Sequence, residues 1–272
     1  MSLKIDDKYL EDFGLKLEDY TISATPEIKT RRIDIVGRDG SVDNGTNYGN
    51  NAIKIKVCAD ESDMGTLFSR LRAFTSWLDP RQGDRQFLFD DDSSVIRFAK
   101  LDASSDYSKM KGMDKSVADV ELTFVMSDPF TYGATLNSTS HIFAPAESIT
   151  IANNGGLDAP MVIRFHCIDT ASMNPANGIG GVNAGDGISI SSISGVKIQV
   201  NDTYIKYTGI IYTGDEVVID TKGMTMDYDE DNALRYWEGD FPKLAVGDNT
   251  ITVTDDTGLG ANVTIEFRER WL

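Results

Sequence analysis

The sequence predicts a mainly β protein in two parts. Residues 1–133 read as a β-sandwich or barrel-like domain carrying one α-helix, and residues 134–272 as a second β-sandwich of jelly-roll kind. Three observations carry this. Short alternating apolar and polar runs, separated by Gly-, Asn- and Asp-rich turns, recur along the chain, as strands with one buried face do. Only residues 63–78 place apolar side chains at helical spacing. Residues 133–140, GATLNSTS, are small and polar, as a domain boundary is. With 272 residues, 40% of them hydrophobic and 9% aromatic, the chain has enough apolar material for two cores.

In order, residues 1–22 hold short apolar alternations (Leu3, Ile5; Phe13, Leu15, Leu17) suited to strands or to an arm. After Pro26, two strand-like runs span Ile28 to Val57. The second alternates cleanly, with Ile53, Ile55 and Val57 on one side and Lys54 and Lys56 on the other. Gly37 and Gly40 bracket Arg38-Asp39 as a hairpin-type turn. The polar run between Ser41 and Asn51 has little to pack and reads as an exposed loop with a single aromatic, Tyr48.

The helix follows, with Ser62 as its cap, Asp63 at its positive end and a stripe of Met64, Leu67, Phe68, Leu71, Phe74 and Leu78. That stripe must face a sheet or a partner chain. Asp79-Pro80 stops it. Phe87–Phe89 and Val95–Ala99 form a hairpin, and Val117–Met126 a further strand ending at Asp128-Pro129-Phe130. The second part shows strands at 148–152, 161–168, 188–190, 196–200, 204–207, 216–219, 249–253 and 263–268, with a long loop at 171–187. In the last strand Val263, Ile265 and Phe267 point inward.

The charge, 26 basic against 43 acidic residues for a net −17, argues against nucleic-acid binding, which needs clustered Lys and Arg. No run of about 18 apolar residues exists, so no membrane span is expected. No signal-peptide pattern opens the chain, which implies synthesis and folding in a cytoplasm. Cys58 and Cys167 read as small buried hydrophobes rather than as a disulfide.

A catalytic constellation is hard to find. His141 and His166 have no Cys or His neighbour at metal spacing, and no Gly-x-Ser-x-Gly elbow exists. The glycines at 178–181 lack the strand–turn–helix context of a phosphate cradle. Paired carboxylates of a glycosidase can be drawn anywhere among so many acids. No enzyme is expected. Asp227, Asp229 and Asp231 with Glu238 match positions 1, 3, 5 and 12 of a calcium-loop template, with Asn232 in place of glycine and no flanking helices. Calcium is therefore the one candidate ligand ion, against a solvated acidic hairpin.

Several pieces occur together in a telling order: the Gly37–Gly40 turn after an Arg-rich strand, the helix ending Phe74-Thr75-Ser76-Trp77-Leu78, and Asp128-Pro129-Phe130. Later come Val200-Asn201-Asp202, Tyr207-Thr208-Gly209, Gly214-Asp215 and Phe241-Pro242-Lys243-Leu244 with Gly247-Asp248-Asn249. This order resembles the distal tail (Dit) proteins of long-tailed phages and prophages of Gram-positive bacteria. The resemblance implies a first domain that builds a hexameric ring and a galectin-like or carbohydrate-module-like sandwich outside it. It also implies a place at the virion tail tip, the baseplate, as a hub between the tail-tube protein, the tail-tip protein and receptor-binding proteins. Arg38, Tyr48, Phe68 and Trp77 are then the candidate interface residues. The alternative is a carbohydrate-binding accessory module, with Tyr204, Tyr207, Tyr212, Tyr236 and Trp237 offering sugar-stacking faces.

Overall fold

The computed structural model describes residues 2–61, 64–102, 107–111, 116–143, 147–167, 192–258 and 260–272. The Ser62 and Asp63 caps, the loop at 171–187 with its glycines, and the strand at 188–190 lie outside these residues. The chain divides into two compact units, the first ending at Ala134 and the second spanning Thr135–Trp271.

The first unit contains β1 (Leu3–Ile5), β2 (Lys8–Tyr9), β3 (Lys16–Ile22), β4 (Ile28–Asp34), β5 (Ser41–Tyr48) and β6 (Asn51–Glu61). There follow α1 (Met64–Trp77), β7 (Arg85–Phe89), β8 (Val95–Leu101), β9 (Tyr107–Lys111), β10 (Ser116–Met126) and β11 (Thr131–Gly133). An antiparallel path runs β2-β1-β7-β8-β10-β6-β3, with β9 also on β10 and β11 on β8. Alternation in β6 and β10 sets the register: Ile53 faces Phe124, Ile55 faces Leu122 and Val57 faces Val120, all buried. Phe87 meets Phe124 edge-on, ring centroids 4.8 Å apart.

The helix stripe packs onto this same core. Leu67, Leu71, Phe74 and Leu78 are buried in it, so these four are covered within their own unit, while Phe68 stays half-buried. Four such side chains contribute about 1.5–3 kcal/mol each. Asp79 accepts from the Arg81 amide (3.0 Å) in the turn that Pro80 opens, and Arg85 donates to the Trp77 carbonyl (2.9 Å) and to Asp6 (2.8 Å). Residues 2–22 are core strands and a turn, with Leu3, Ile5, Leu10, Leu15 and Leu17 buried.

Two readings change here. The 41–51 segment is not a loop: Ser41–Tyr48 is a strand paired to β4, and its polarity reflects two wet faces. Cys58 lies half-buried on the polar face of β6 beside Lys54 and Lys56, and burial together with Glu18 raises its thiol pKa; Cys167 is buried as expected.

The second unit contains β12 (Asn137–Phe143), β13 (Ser148–Asn153), β14 (Met161–His166), β15 (Ser192–Val200), β16 (Thr203–Tyr212) and β17 (Glu216–Asp220). It continues with β18 (Thr225–Tyr228), β19 (Asp231–Asn232), β20 (Trp237–Gly239), β21 (Gly247–Thr254) and β22 (Ala261–Phe267). One sheet runs β12-β22-β14-β17-β18-β19 and the other β13-β21-β15-β16-β20. A single apolar layer, including Phe143, Ile163, Phe165, Ile198, Ile205, Ile251 and Ile265, fills the space between them. This is a β-sandwich. Val263, Ile265 and Phe267 are inward as read. Strand β12 starts inside the segment read as a linker, because the Ser and Thr residues of an edge strand mimic one.

The 241–249 motif has a physical account. Pro242 and Leu244 are buried, and Gly247 sits at φ 92°, where a side chain is strained. The buried Asn249 donates to the carbonyls of Ala245 (2.8 Å) and Gly247 (2.9 Å) and accepts from the Ala245 amide and the Asn201 side chain (both 2.8 Å). Buried Asn153 likewise donates to the carbonyls of Leu157 and Leu244 (both 3.0 Å). Each amide satisfies backbone groups that a loop would otherwise bury unpaired.

Candidate assembly interface

The least self-sufficient part of the chain is the β4–β5 hairpin. Six residue pairs hold it, from Ile28 opposite Tyr48 to Asp34 opposite Ser41, with a bulge between Thr30 and Arg32. Gly37 and Gly40, at φ 86° and 79°, make the tip, where the Arg38 amide donates to the Ile35 carbonyl (3.1 Å). At its root Gly49 donates to the Glu27 carbonyl (2.6 Å), and Tyr48 meets Phe130 edge-on, with centroids 6.1 Å apart.

Beyond that root the hairpin buries almost nothing. Only Thr30 and Val42 are partly covered. Ile28, Ile33, Ile35 and Tyr48 expose about half their surface or more, and Val36 exposes all of it. Strands β4 and β5 form a two-stranded sheet of their own, so among the described residues both outer edges lack a paired strand. An isolated two-stranded ribbon is marginal in water, and free edges with apolar side chains recruit other chains.

The four residues expected at an interface separate into two pairs. Arg38 and Tyr48 sit at opposite ends of this hairpin, both exposed. Phe68 and Trp77 lie half-buried on α1. Trp77 packs against Phe13 (5.2 Å) and Phe74 (6.3 Å) and carries the Arg85 guanidinium over its ring (5.3 Å), so its contacts lie within its own unit. Sequence reasoning missed Ile33, Ile35 and Val36; an apolar run leading straight into a Gly-x-x-Gly turn was the available signal.

The acidic residues at 227–238 do not form a twelve-residue loop. Asp229 and Glu230, at φ 45° and 69°, make a tight turn that pairs Asp227 with Asn232 and Tyr228 with Asp231. Asp229 accepts from the Glu216 amide (3.0 Å), while Glu238 lies on β20, 3.4 Å from the Tyr204 hydroxyl. Arg164, 3.3 Å from Glu216 and 3.5 Å from Glu266, already places a positive charge at the surface that Asp227 and Asp229 line. Among the described residues no group of three or more His, Cys, Asp or Glu side chains is arranged to hold a metal ion. The histidines are engaged separately, His141 with Glu147 (3.1 Å) and His166 with Asn262 (2.9 Å).

Residues 9–126 match the family model of the phage tail protein RIFT-related domain. Residues 188–271 match that of the siphovirus-type tail component, C-terminal domain. Among solved structures, the chain is similar to Dit (gp 19.1) of phage SPP1, a paradigm of the hub adsorption apparatus in phages infecting Gram-positive bacteria. The TM-score is 0.70 at 17% identity, covering 100% of this chain and 99% of that one. It is also similar to a chain of the phage P2 baseplate in its activated conformation with Ca, with TM-score 0.51, 10% identity and 97% of each chain covered. The same baseplate with Sr gives a TM-score of 0.52 at 11% identity, again over 97% of each chain. Among curated proteins compared by sequence, none matches.

Proposed function

We propose, from the premise that this chain belongs to the distal tail proteins of siphophages, that it closes into a hexameric ring through its first unit. The chain is a structural component of a phage tail and not an enzyme. In this reading the ring sits at the tail tip as the baseplate hub. It joins the tail-tube protein to the tail-tip protein and anchors receptor-binding proteins, after synthesis in the bacterial host cytoplasm.

The observation that carries the reading is the uncovered β4–β5 hairpin. Its exposed isoleucines and Val36 need a surface other than their own, so each copy would present the hairpin to a different face of the next. Repetition of such a head-to-tail contact closes a ring. Charge agrees: residues 28–48 carry four basic and three acidic side chains, leaving 22 basic against 40 acidic elsewhere. A slightly positive arm reaching an acidic neighbour is attracted to it, whereas two whole chains repel.

Light scattering with negative-stain imaging of the same peak tests this. The expected mass is six times 29.9 kDa, in annular particles. A monomer at every concentration, with and without tail-tube protein, would overturn it, as would closed twofold dimers. In this reading the ring forms without a cofactor, and adding or chelating calcium is expected to leave its melting temperature unchanged, because Asp227, Asp229 and Asp231 lie on a tight hairpin rather than on a twelve-residue loop and Glu238 lies on β20.

A further inference from the structure

The chain holds three Asn-Gly pairs. Asn44-Gly45 and Asn154-Gly155 lie among the described residues, and Asn177-Gly178 lies outside them. Asparagine is a labile residue, most so before glycine, because the next amide nitrogen reaches its side-chain carbonyl carbon with no Cβ in the way. Asn44 and Gly45 are both exposed and fall where the β4–β5 register shifts, between Thr30 opposite Thr46 and Arg32 opposite Asp43. Two residues of β5 there face one of β4, a bulge that interrupts the ladder. Gly45 adopts φ 101°, and a Cβ built on it would meet nothing within 4 Å, so the peptide is free to turn. Its amide donates to the Asp43 carboxylate (3.1 Å).

Asn154-Gly155 is held instead. The Asn154 side chain donates to Glu269 (3.1 Å), and the buried Gly155 donates its amide to the buried Asn153 side chain (3.0 Å). Asn153 is itself fixed by the carbonyls of Leu157 and Leu244 (both 3.0 Å). A Cβ on Gly155 would come within 2.7 Å of the Arg270 backbone, so this peptide has no room to rotate.

We propose that Asn44 is a self-modification site, which converts in solution to aspartate and isoaspartate while Asn154 persists. The Gly45 nitrogen attacks the Asn44 side-chain carbonyl carbon, and a C–N bond forms. The Gly45 N–H proton passes to Asp43, which lies within reach for a general base, and ammonia leaves with a proton returned from that carboxyl. The resulting succinimide takes up water. Opening between the nitrogen and Cγ restores the ordinary backbone with an aspartate side chain. Opening between the nitrogen and the backbone carbonyl carbon gives isoaspartate, whose main chain is one methylene longer. Either product adds a carboxylate, taking residues 28–48 from four basic and three acidic side chains to four and four. The longer chain also breaks the register that sets Thr46 and Tyr48 opposite Thr30 and Ile28. The chemistry stands on the hairpin alone. Its effect on ring formation rests on the assembly reading above, and the test below reads only the chemistry.

Peptide mapping by mass spectrometry tests it, on the full chain held in mildly alkaline buffer, where loss of the amide proton is favoured. Asn44 is expected to yield both aspartate and isoaspartate, at least about tenfold faster than Asn154, a barrier difference of about 1.4 kcal/mol. Unfolding in urea should close that gap, since it frees both peptides. Asn44→Gln, which would need a larger ring, should halt the conversion with the melting temperature unmoved, and Asp43→Ala should slow it roughly threefold or more. An intact Asn44 at a time when the urea-unfolded chain has converted overturns the proposal. So does equal conversion of the two sites in the folded chain, or aspartate without isoaspartate, which direct hydrolysis by water would give. An unchanged rate in Asp43→Ala overturns the role given to Asp43.

Discussion

The β6–β10 ladder and the β4–β5 hairpin are both antiparallel pairs within one unit, and they could hardly be buried more differently. The first runs through eleven residue pairs with every second side chain from Ile53 to Ala59 buried. The second runs through six pairs and buries no side chain. Backbone pairing is common to both; what differs is the cover. Strand hydrogen bonds contribute modestly when water can compete for them, and apolar burial decides which ladder is stable alone. A hairpin that keeps its apolar residues while burying none is the natural candidate for the proposed contact with another copy.

Replacing residues 30–46 with a short Gly-rich link would break the comparison most severely. Assembly should disappear altogether in light scattering, while the melting temperature of the first unit stays within a few degrees, since almost no burial is lost. Phe124→Ala tests the other side. It removes a fully buried ring from the β6–β10 layer and should cost about 3–5 kcal/mol in denaturant unfolding, whatever the oligomeric state.

Val36→Asp sharpens the contrast further. A fully exposed side chain should change monomer stability by no more than ~0.5 kcal/mol, yet a new charge in the contact should weaken assembly by roughly tenfold or more. The smallest effect concerns pH. Tyr20 stacks on Phe89 (4.2 Å) and donates to Asp91 (2.6 Å), and that bond, with burial, pushes its pKa up to about 12. Its folded pKa lies above the unfolded value of about 10, so the stability it adds is complete below ~10 and is lost as pH rises toward ~12. Calorimetry should show this alkaline decline shallower in Tyr20→Phe. Arg97, which faces the same phenol, opposes the shift without reversing it.

Strands with one dry face were legible in the sequence. β6, β10 and β22 show the alternation directly, and α1 shows its stripe. Segments that bury neither face, such as Ser41–Tyr48, give no period to read, because cross-strand pairing leaves no mark on composition. The same holds for the edge strand β12, where Ser138 and Thr139 look like a linker until Phe143 is seen to be buried. The turn at Asp229-Glu230 adopts positive φ without glycine, so a calcium template could be laid over what is a tight hairpin. Of the five aromatics read as sugar-stacking faces, Tyr207 and Tyr236 line a cleft of the second unit between β16 and the β18–β19 hairpin. Tyr204 lies under Lys197 (4.3 Å), Trp237 stacks on Phe241 (5.7 Å), and Tyr212 stands exposed at the end of β16.

In the proposed assembly, the near-neutral charge of residues 28–48 in an otherwise acidic chain would also govern timing. Two free chains, each carrying a formal −17, repel one another over about a Debye length, ~8 Å at physiological salt. Collisions that lead with the hairpin would meet the least resistance. If the chains associate as proposed, self-association is expected to speed up as ionic strength rises and to slow in dilute buffer. On that expectation the charge that keeps the chain dissolved also opposes premature association, and salt that screens it removes part of that opposition.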